Sequence, residues 1–288
     1  MSGSAATPQD IWQPLGLPGL IDVHTHFMPH NVLAKVWAYF DAAGPMIGRP
    51  WPIWYRAEEP DRLELLRGFG VKAFTALVYP HKPGMARWLT EWSLQWARDV
   101  PDVLRTATVF PEPGVLDWLD PQAIDVVKVH VQVGAYDPRD PLLDPVWGML
   151  AEAGTPIVAH LGSGPVPGPY TGPGPWSEVQ ARHPRLRTIV AHMGMPEIEG
   201  FVELATRHEA MLLDTTMAWV DFWDGPKVVV PQVSELGLAG RILYGSDFPN
   251  IPYPYVHQLE SLARLDLGDD WMREVLWGAG ARLFGIKG

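Results

Sequence analysis

The chain has 288 residues, 47% hydrophobic and 19% charged, enough for one large domain with a full core. A formal charge of -11, from 22 basic and 33 acidic residues, argues against a nucleic-acid partner because no basic surplus is left to neutralise phosphates. The absence of cysteine excludes disulfides and thiolate ligands, and no window holds the ~20 uninterrupted apolar residues that a membrane span needs.

Met1 to Asp10 lack a basic start followed by an apolar stretch, so no secretory leader is expected and the cytoplasm is the default compartment. The expected partner is a small-molecule substrate, with a homodimer left open as an assembly.

Apolar runs of strand length recur at Leu20–His24, Val71–Tyr79, Leu104–Phe110, Ile124–Val131, Pro156–His160, Arg187–His192, Ala210–Asp214 and Arg241–Asp247. They are rich in Val, Ile and Leu and do not alternate cleanly with polar residues, as expected of strands covered on both faces. Helical stripes fall between them. Leu63, Leu66 and Phe69 are closed by Gly70; Asp144-Pro145-Val146 supplies an N-cap and a first-turn proline, and Gly154 stops the stripe of Val146, Met149, Leu150 and Ala153. After Pro196, the residues Ile198, Phe201, Val202 and Ala205 recur at helical spacing. Eight strands alternating with helices indicate an α/β fold, a closed (β/α)8 TIM barrel, which at about 250 residues takes the whole of 1–288 as one domain. The competing open, doubly wound sheet would carry a Gly-rich turn after its first strand, where His26-Phe27-Met28-Pro29 stands instead.

An insertion over 27–59 separates the first strand from its helix and carries Trp37, Tyr39, Phe40, Trp51, Trp54 and Tyr55. Leaving the C-terminal rim of a barrel, it is placed to form a wall or lid; the plainer reading is a small satellite core, and the two are compatible. The run from Gly162-Ser163-Gly164 to Pro175 lacks the Gly-Lys-Ser/Thr ending of a phosphate loop and reads as a mobile rim loop.

The chemistry sits at strand ends. In Asp22-Val23-His24-Thr25-His26 the two imidazoles are two apart, so on a strand they point to one face and can grip one ion. His160 and His192 each close a later apolar run, and Gly245-Ser246-Asp247 closes the last. Any one of these alone is more often a satisfied core histidine or a capping aspartate. Five at matching strand ends suggest an open divalent-metal site of the catalytic type.

These motifs, with Val127-Lys128-Val129-His130, Ala191-His192-Met193-Gly194 and Arg241 to Pro249, resemble the amidohydrolase superfamily over almost the whole chain. The similarity is to the amidohydrolase-related branch that includes aminocarboxymuconate-semialdehyde decarboxylase and several lactone and carboxylate hydrolases. The resemblance implies that His24, His26, His160 and Asp247 are metal ligands, and that His192 orients or deprotonates a water. It also implies that Asp247 shares the proton in hydrolytic members. One divalent ion is expected: zinc is favoured by the imidazole-rich set, with manganese as the alternative.

In some relatives a lysine at the position of Lys128 is carboxylated and bridges two metals; in many of this branch it stands beside one. An unmodified Lys128 and a single ion are expected here. Strand alternation puts Lys128 and His130 on one inward face, and puts Asp22 on the face of His24 and His26. Asp22 is then expected to hold a histidine or Lys128 by charge-assisted hydrogen bonds. His81 follows the second strand and could reach the pocket. Arg49, Arg56 and Arg139 lie in rim loops as candidates to grip a substrate carboxylate, although each alone is more often a solvated arginine.

An open metal site with a water-activating histidine suits attack on a lactone, ester or amide carbonyl, so a metal-dependent hydrolase is the leading expectation. The alternative is non-oxidative decarboxylation of an aromatic or unsaturated carboxylic acid on the same ligands. A catalytically silent metal-binding barrel ranks third, since a structural metal needs no spare base.

Overall fold

The computed structural model describes residues 6–222, 238 and 240–287; the first five residues of the segment inspected for a leader lie outside it. Eight strands carry the fold: β1 Leu20–Asp22, β2 Val71–Thr75, β3 Val103–Leu104 continued by Thr106–Thr108, β4 Val126–His130, β5 Ile157–His160, β6 Thr188–Val190, β7 Met211–Asp214 and β8 Ile242–Leu243. Each pairs in parallel with its neighbour in sequence. The barrel closes between β8 and β1, where Val23 N–H donates to Tyr244 O (3.0 Å), Asp247 N–H to His24 O (2.8 Å) and His26 N–H to Phe248 O (2.7 Å). Seven of the eight apolar runs read from the sequence contain one of these strands whole, and the run from Leu104 contains all of β3 but Val103.

Burial explains why the runs do not alternate. Ile21, Val23, Ala73, Leu104, Val126, Val158, Ile189, Leu212 and Leu243, from all eight strands and the bend after β1, fill the lumen over a floor of Ala279, Leu283 and Phe284. The intervening residues, among them Leu20, Phe74, Ala107, Val127, Ala159, Val190 and Leu213, pack outward under the helices. Both faces are therefore apolar. The residues that follow the lumen layer on each strand reach the C-terminal mouth, and those are the polar ones.

The helical stripes form as expected. Glu59–Gly68 buries Leu66, and Ile198–Arg207 buries Ile198, Phe201, Val202 and Ala205. Asp144–Ala153 ends on Gly154 at φ 72, the left-handed cap that glycine adopts without strain. Its N-cap is Leu143, one residue earlier than expected, and the Asp144 carboxylate instead pairs with Arg182 (2.8 Å) and His183 (3.0 Å).

The insertion forms a helix over His30–Ala42 and a turn over Gly44–Ile47. Its aromatic side chains fasten it to the loop after β8. Trp51 Nε1 donates to Asn250 O (2.7 Å), Trp37 Nε1 to Asn250 Oδ1 (3.1 Å), and Tyr255 N–H to Tyr55 Oη (2.6 Å). The rim loop after β5 is fixed by Ser163, whose backbone N–H (2.9 Å) and hydroxyl both donate to Glu197. Among the described residues no helix is long and apolar enough to cross a membrane.

Candidate metal centre

The strand pairing of β1 ends at Asp22, and the chain bends at Val23 before His24 and His26 turn into the mouth. Asp22 pairs with Phe74 of the outer core and lies between two lumen residues, Ile21 and Val23. It therefore does not share the histidines' face, as strict alternation would require. Its carboxylate accepts from Ser246 Oγ (2.6 Å), Tyr255 Oη (2.8 Å) and the backbone N–H groups of His24 (3.2 Å) and Ser246 (3.1 Å). It fastens β8 and the helix Tyr255–Ala263 to β1; it holds neither a histidine ring nor Lys128. Burial pushes its carboxyl up to about 7 against those donors.

His24, His26 and Asp247 offer three ligand atoms within 4.8 Å of one another. His26 Nδ1 lies 2.8 Å from the carbonyl of Leu77, which can only accept, so this nitrogen carries the proton. In the neutral ring Nε2 is then bare, yet it lies 2.8 Å from Asp247 Oδ1. His24 repeats the pattern, with Nδ1 2.8 Å from Asp214 Oδ2 and Nε2 3.6 Å from the same Asp247 oxygen. Lone pairs facing one another at these distances are the donor set of a cation, and the residues fit a divalent metal. Burial, then the charge of Lys128, holds His24 well below the usual imidazole range. Burial alone would raise Asp247, but the histidines that face it favour its ionised form and hold it below the carboxylate range. A neutral imidazole and an ionised carboxylate are what a metal ligand set requires. The backbone is shaped to match: Asp247 sits at φ 68, which aspartate tolerates better than bulkier residues.

Three more imidazoles adjoin this group. His192 lies with its ring 4.8 Å from His24 and 4.9 Å from His160, on a turn where it and Met193 both have left-handed backbone (φ 54 and 51). His160 donates from Nε2 to Gly164 O (3.0 Å), which leaves its Nδ1 as a lone-pair donor, and stacks on His130 at 4.1 Å. Although His160 and His192 each keep an accessible edge, their surroundings strip away water. Burial, then the neighbouring imidazole charge, pushes His160 down to about 3 and His192 down to about 4. Both are neutral at pH 7 and able to accept a proton.

An amidohydrolase family model matches residues 21–286, which takes in all eight strands except Leu20 and every one of these side chains. The chain belongs to the amidohydrolase family. Solved structures share its barrel at low identity. An uncharacterized TIM-barrel protein from Bordetella bronchiseptica is 19% identical, with a TM-score of 0.73 over 93% of this chain and 98% of that one. A 5-carboxyvanillate decarboxylase from Sphingomonas paucimobilis is 14% identical (TM-score 0.61, 94% and 100% covered). A probable 2-pyrone-4,6-dicarboxylic acid hydrolase from Acinetobacter baumannii is 13% identical (TM-score 0.61, 93% and 99% covered). The search of curated proteins gives no match.

In this amidohydrolase Lys128 lies in the lumen above Val126, fully buried, and its Nζ has no hydrogen-bond partner among the described residues. Burial pushes it down to about 8, opposed by the charges of Asp214 and Asp247. His130 accepts from Val133 N–H at Nδ1 (3.3 Å), which puts the proton of its neutral ring on Nε2. His81 is exposed on the loop after β2. Arg56 forms a two-pronged pair with Asp41 (2.6 and 3.1 Å), and Arg139 is held by Asp137 (2.9 Å) and Glu178 (2.7 Å). Both guanidinium groups are thus engaged by carboxylates of this chain, while Arg49 stacks over Phe222 at 4.8 Å.

Two residues of the site escaped the sequence reading. Asp214 ends β7 inside the lumen, where it was read only as the end of a strand. Tyr79, after β2, sets its ring against His130 (4.7 Å) and His26 (5.7 Å). Each closes an apolar run in the same way as the proposed ligands, so the strand-end rule that selected His160 would have selected them too.

Proposed function

We propose that this amidohydrolase is a metal-dependent hydrolase in which water attacks the carbonyl of a small lactone, ester or amide. His24, His26, His160 and Asp247 would hold one divalent ion, with zinc favoured by three imidazoles and manganese as the alternative. His24 and His26 would bind through Nε2 and His160 through Nδ1, the nitrogens their hydrogen bonds leave bare. When bound, the ion would supply Lewis acidity, polarising the carbonyl and bringing the pKa of water toward ~7.

One observation supports hydrolysis above the other chemistries. His192 is a neutral imidazole 4.8 Å from His24, its backbone N–H anchored on Asp214 (2.8 Å), and it is not needed to complete the ligand set. It would take the proton of the attacking water, with Asp247 sharing it. Lys128 and the Nε2–H of His130 are donors suited to the oxygen on which negative charge develops.

Decarboxylation is the second reading, favoured by the aromatic rings beside the site, where His130 and His160 stack and Tyr79 leans on His130 at 51°, surroundings that suit a planar acid. The shared barrel with both a decarboxylase and a probable pyrone hydrolase supports either chemistry.

Metal analysis followed by a screen of pyrone and aliphatic lactones, esters and aromatic carboxylic acids separates the two. Released acid is titrated while CO2 is measured. We expect one metal per chain and acid release without CO2. CO2 evolved in step with product would make the protein a decarboxylase, and metal-independent turnover would remove the metal from the mechanism.

A further inference from the structure

The Asp214 carboxylate is fully buried and makes three hydrogen bonds, all to the metal centre or its supporting turns. Oδ1 accepts the backbone N–H of His192 (2.8 Å) and of Thr216 (3.1 Å), and Oδ2 faces His24 Nδ1 (2.8 Å). His24 lies 190 positions away, and β8 stands between β7 and β1 in the barrel. The reach is possible because Gly245 occupies the inward position on the β8 side. A Cβ there would lie 2.3 Å from Thr216 Oγ1, 2.8 Å from His24 Cβ and 3.4 Å from Asp214 Cγ. The missing side chain is the opening through which the carboxylate meets the imidazole.

We propose that Asp214 is the positioning residue of the metal centre: it locks His24 in the Nδ1–H tautomer, with Nε2 turned to the cation, and ties the His192 turn to the same carboxylate. The inference rests on the metal-centre reading above. An imidazole has one proton when neutral, and its place is decided by the partner of the other nitrogen. His26 achieves the same through a backbone carbonyl that no substitution can change. His24 depends on a side chain.

Asp214→Asn makes the lock testable, because the two residues have nearly the same shape but different donors. The amide has a single oxygen. Keeping it on the two backbone N–H groups preserves two bonds, whereas turning it to His24 preserves one, so the NH2 group will face His24 Nδ1. That nitrogen must then accept, and the imidazole proton moves to Nε2, where it points at the cation position.

The experiment is long-range 1H–15N correlation of the histidine rings in metal-free protein at pH 7, with His24 assigned by its disappearance in His24→Ala. Zinc affinity is measured alongside by chelator competition. In the wild type His24 should be Nδ1–H. In Asp214→Asn it should be Nε2–H, His26 should keep its Nδ1–H tautomer, and zinc affinity should fall by about 10–100-fold. A merely structural role for Asp214 would not exchange one tautomer for the other in His24 while sparing His26. The proposal is overturned if wild-type His24 is Nε2–H, which decides the matter even if the variant fails to fold. It is equally overturned if Asp214→Asn keeps the tautomer or the affinity. Wild-type protein with His24 Nδ1–H but no zinc binding would uphold the lock and overturn the metal-centre reading instead.

Discussion

The two sides of the barrel mouth are built differently. On the side of β1, β7 and β8, the imidazoles and carboxylates are engaged, His24 by Asp214, His26 by Leu77, and Asp22 by Ser246 and Tyr255, although the Thr216 and Tyr244 hydroxyls have no partner among the described residues. What remains there is a set of lone pairs converging on one point. Asp247 on this side has left-handed backbone, which the surrounding bonds hold. On the side of β4 and β5, Lys128 has no hydrogen-bond partner among the described residues, and His130 and His160 stack on each other while bonding only to the loops that follow them. The first side is organised before anything binds, as suits a cation that tolerates little misplacement. On the second, Lys128 and the Nε2–H of His130 are donors left for a substrate, while the bare Nδ1 of His160 is the one ligand that side would add to the proposed ion.

The contrast predicts different losses on the two kinds of residue. His24→Ala removes a ligand from the organised side and should abolish stoichiometric metal binding. His192→Asn should keep the metal and lose about 10²–10⁴-fold in turnover, as expected for a general acid–base group. Bound metal and rate, measured on both variants, test the division. Equal loss of metal would move His192 into the ligand set, and full activity would leave the site without its base.

Acid should destabilise the metal-free protein. His160 and His192 titrate near 3 and 4 when folded, and His24 and His130 also lie well below their usual value of 6.5. Between about 4 and 6.5 the unfolded chain binds more protons at these four sites, so stability falls as pH falls through that window. Asp22, raised to about 7, and Asp214, also raised, act in the opposite sense, since the folded protein binds the extra proton there. Four imidazoles outnumber two carboxylates. Thermal melts of metal-free protein should therefore show a lower Tm at pH 5 than at pH 7; a higher one would mean that the carboxylates dominate.

The smallest effect concerns two glycines. Gly245→Ala would force a methyl group against Thr216 and His24 on the organised side, and should cost about 1–3 kcal/mol. Gly168→Ala, in the rim loop after β5, would meet nothing nearer than 3.4 Å, and should stay within about 0.5 kcal/mol. Denaturant melts of both variants compare them directly, and equal costs would erase the distinction between the sides.

Local pattern was sufficient for much of this protein. Eight apolar runs, the stripes ending at Gly70 and Gly154, and the strand-end positions of His24, His26, His160, His192 and Asp247 were all legible, because hydrophobic period and turn chemistry act between residues close in sequence. The face of Asp22 was not legible. A bend at Val23 breaks the alternation, and nothing in Asp22-Val23-His24 announces a bend. The position of Asp214 at a strand end was as legible as that of His160, but its role was illegible for a stronger reason. An aspartate closing an apolar strand reads the same whether it caps a helix or orients an imidazole, and its meaning depends on His24, 190 positions earlier, being brought opposite it through the gap at Gly245. Strand identity belongs to the chain's own periodicity, but the choice of partner for each buried polar group is made only when the barrel closes and leaves every such group to find a bond in the space it has.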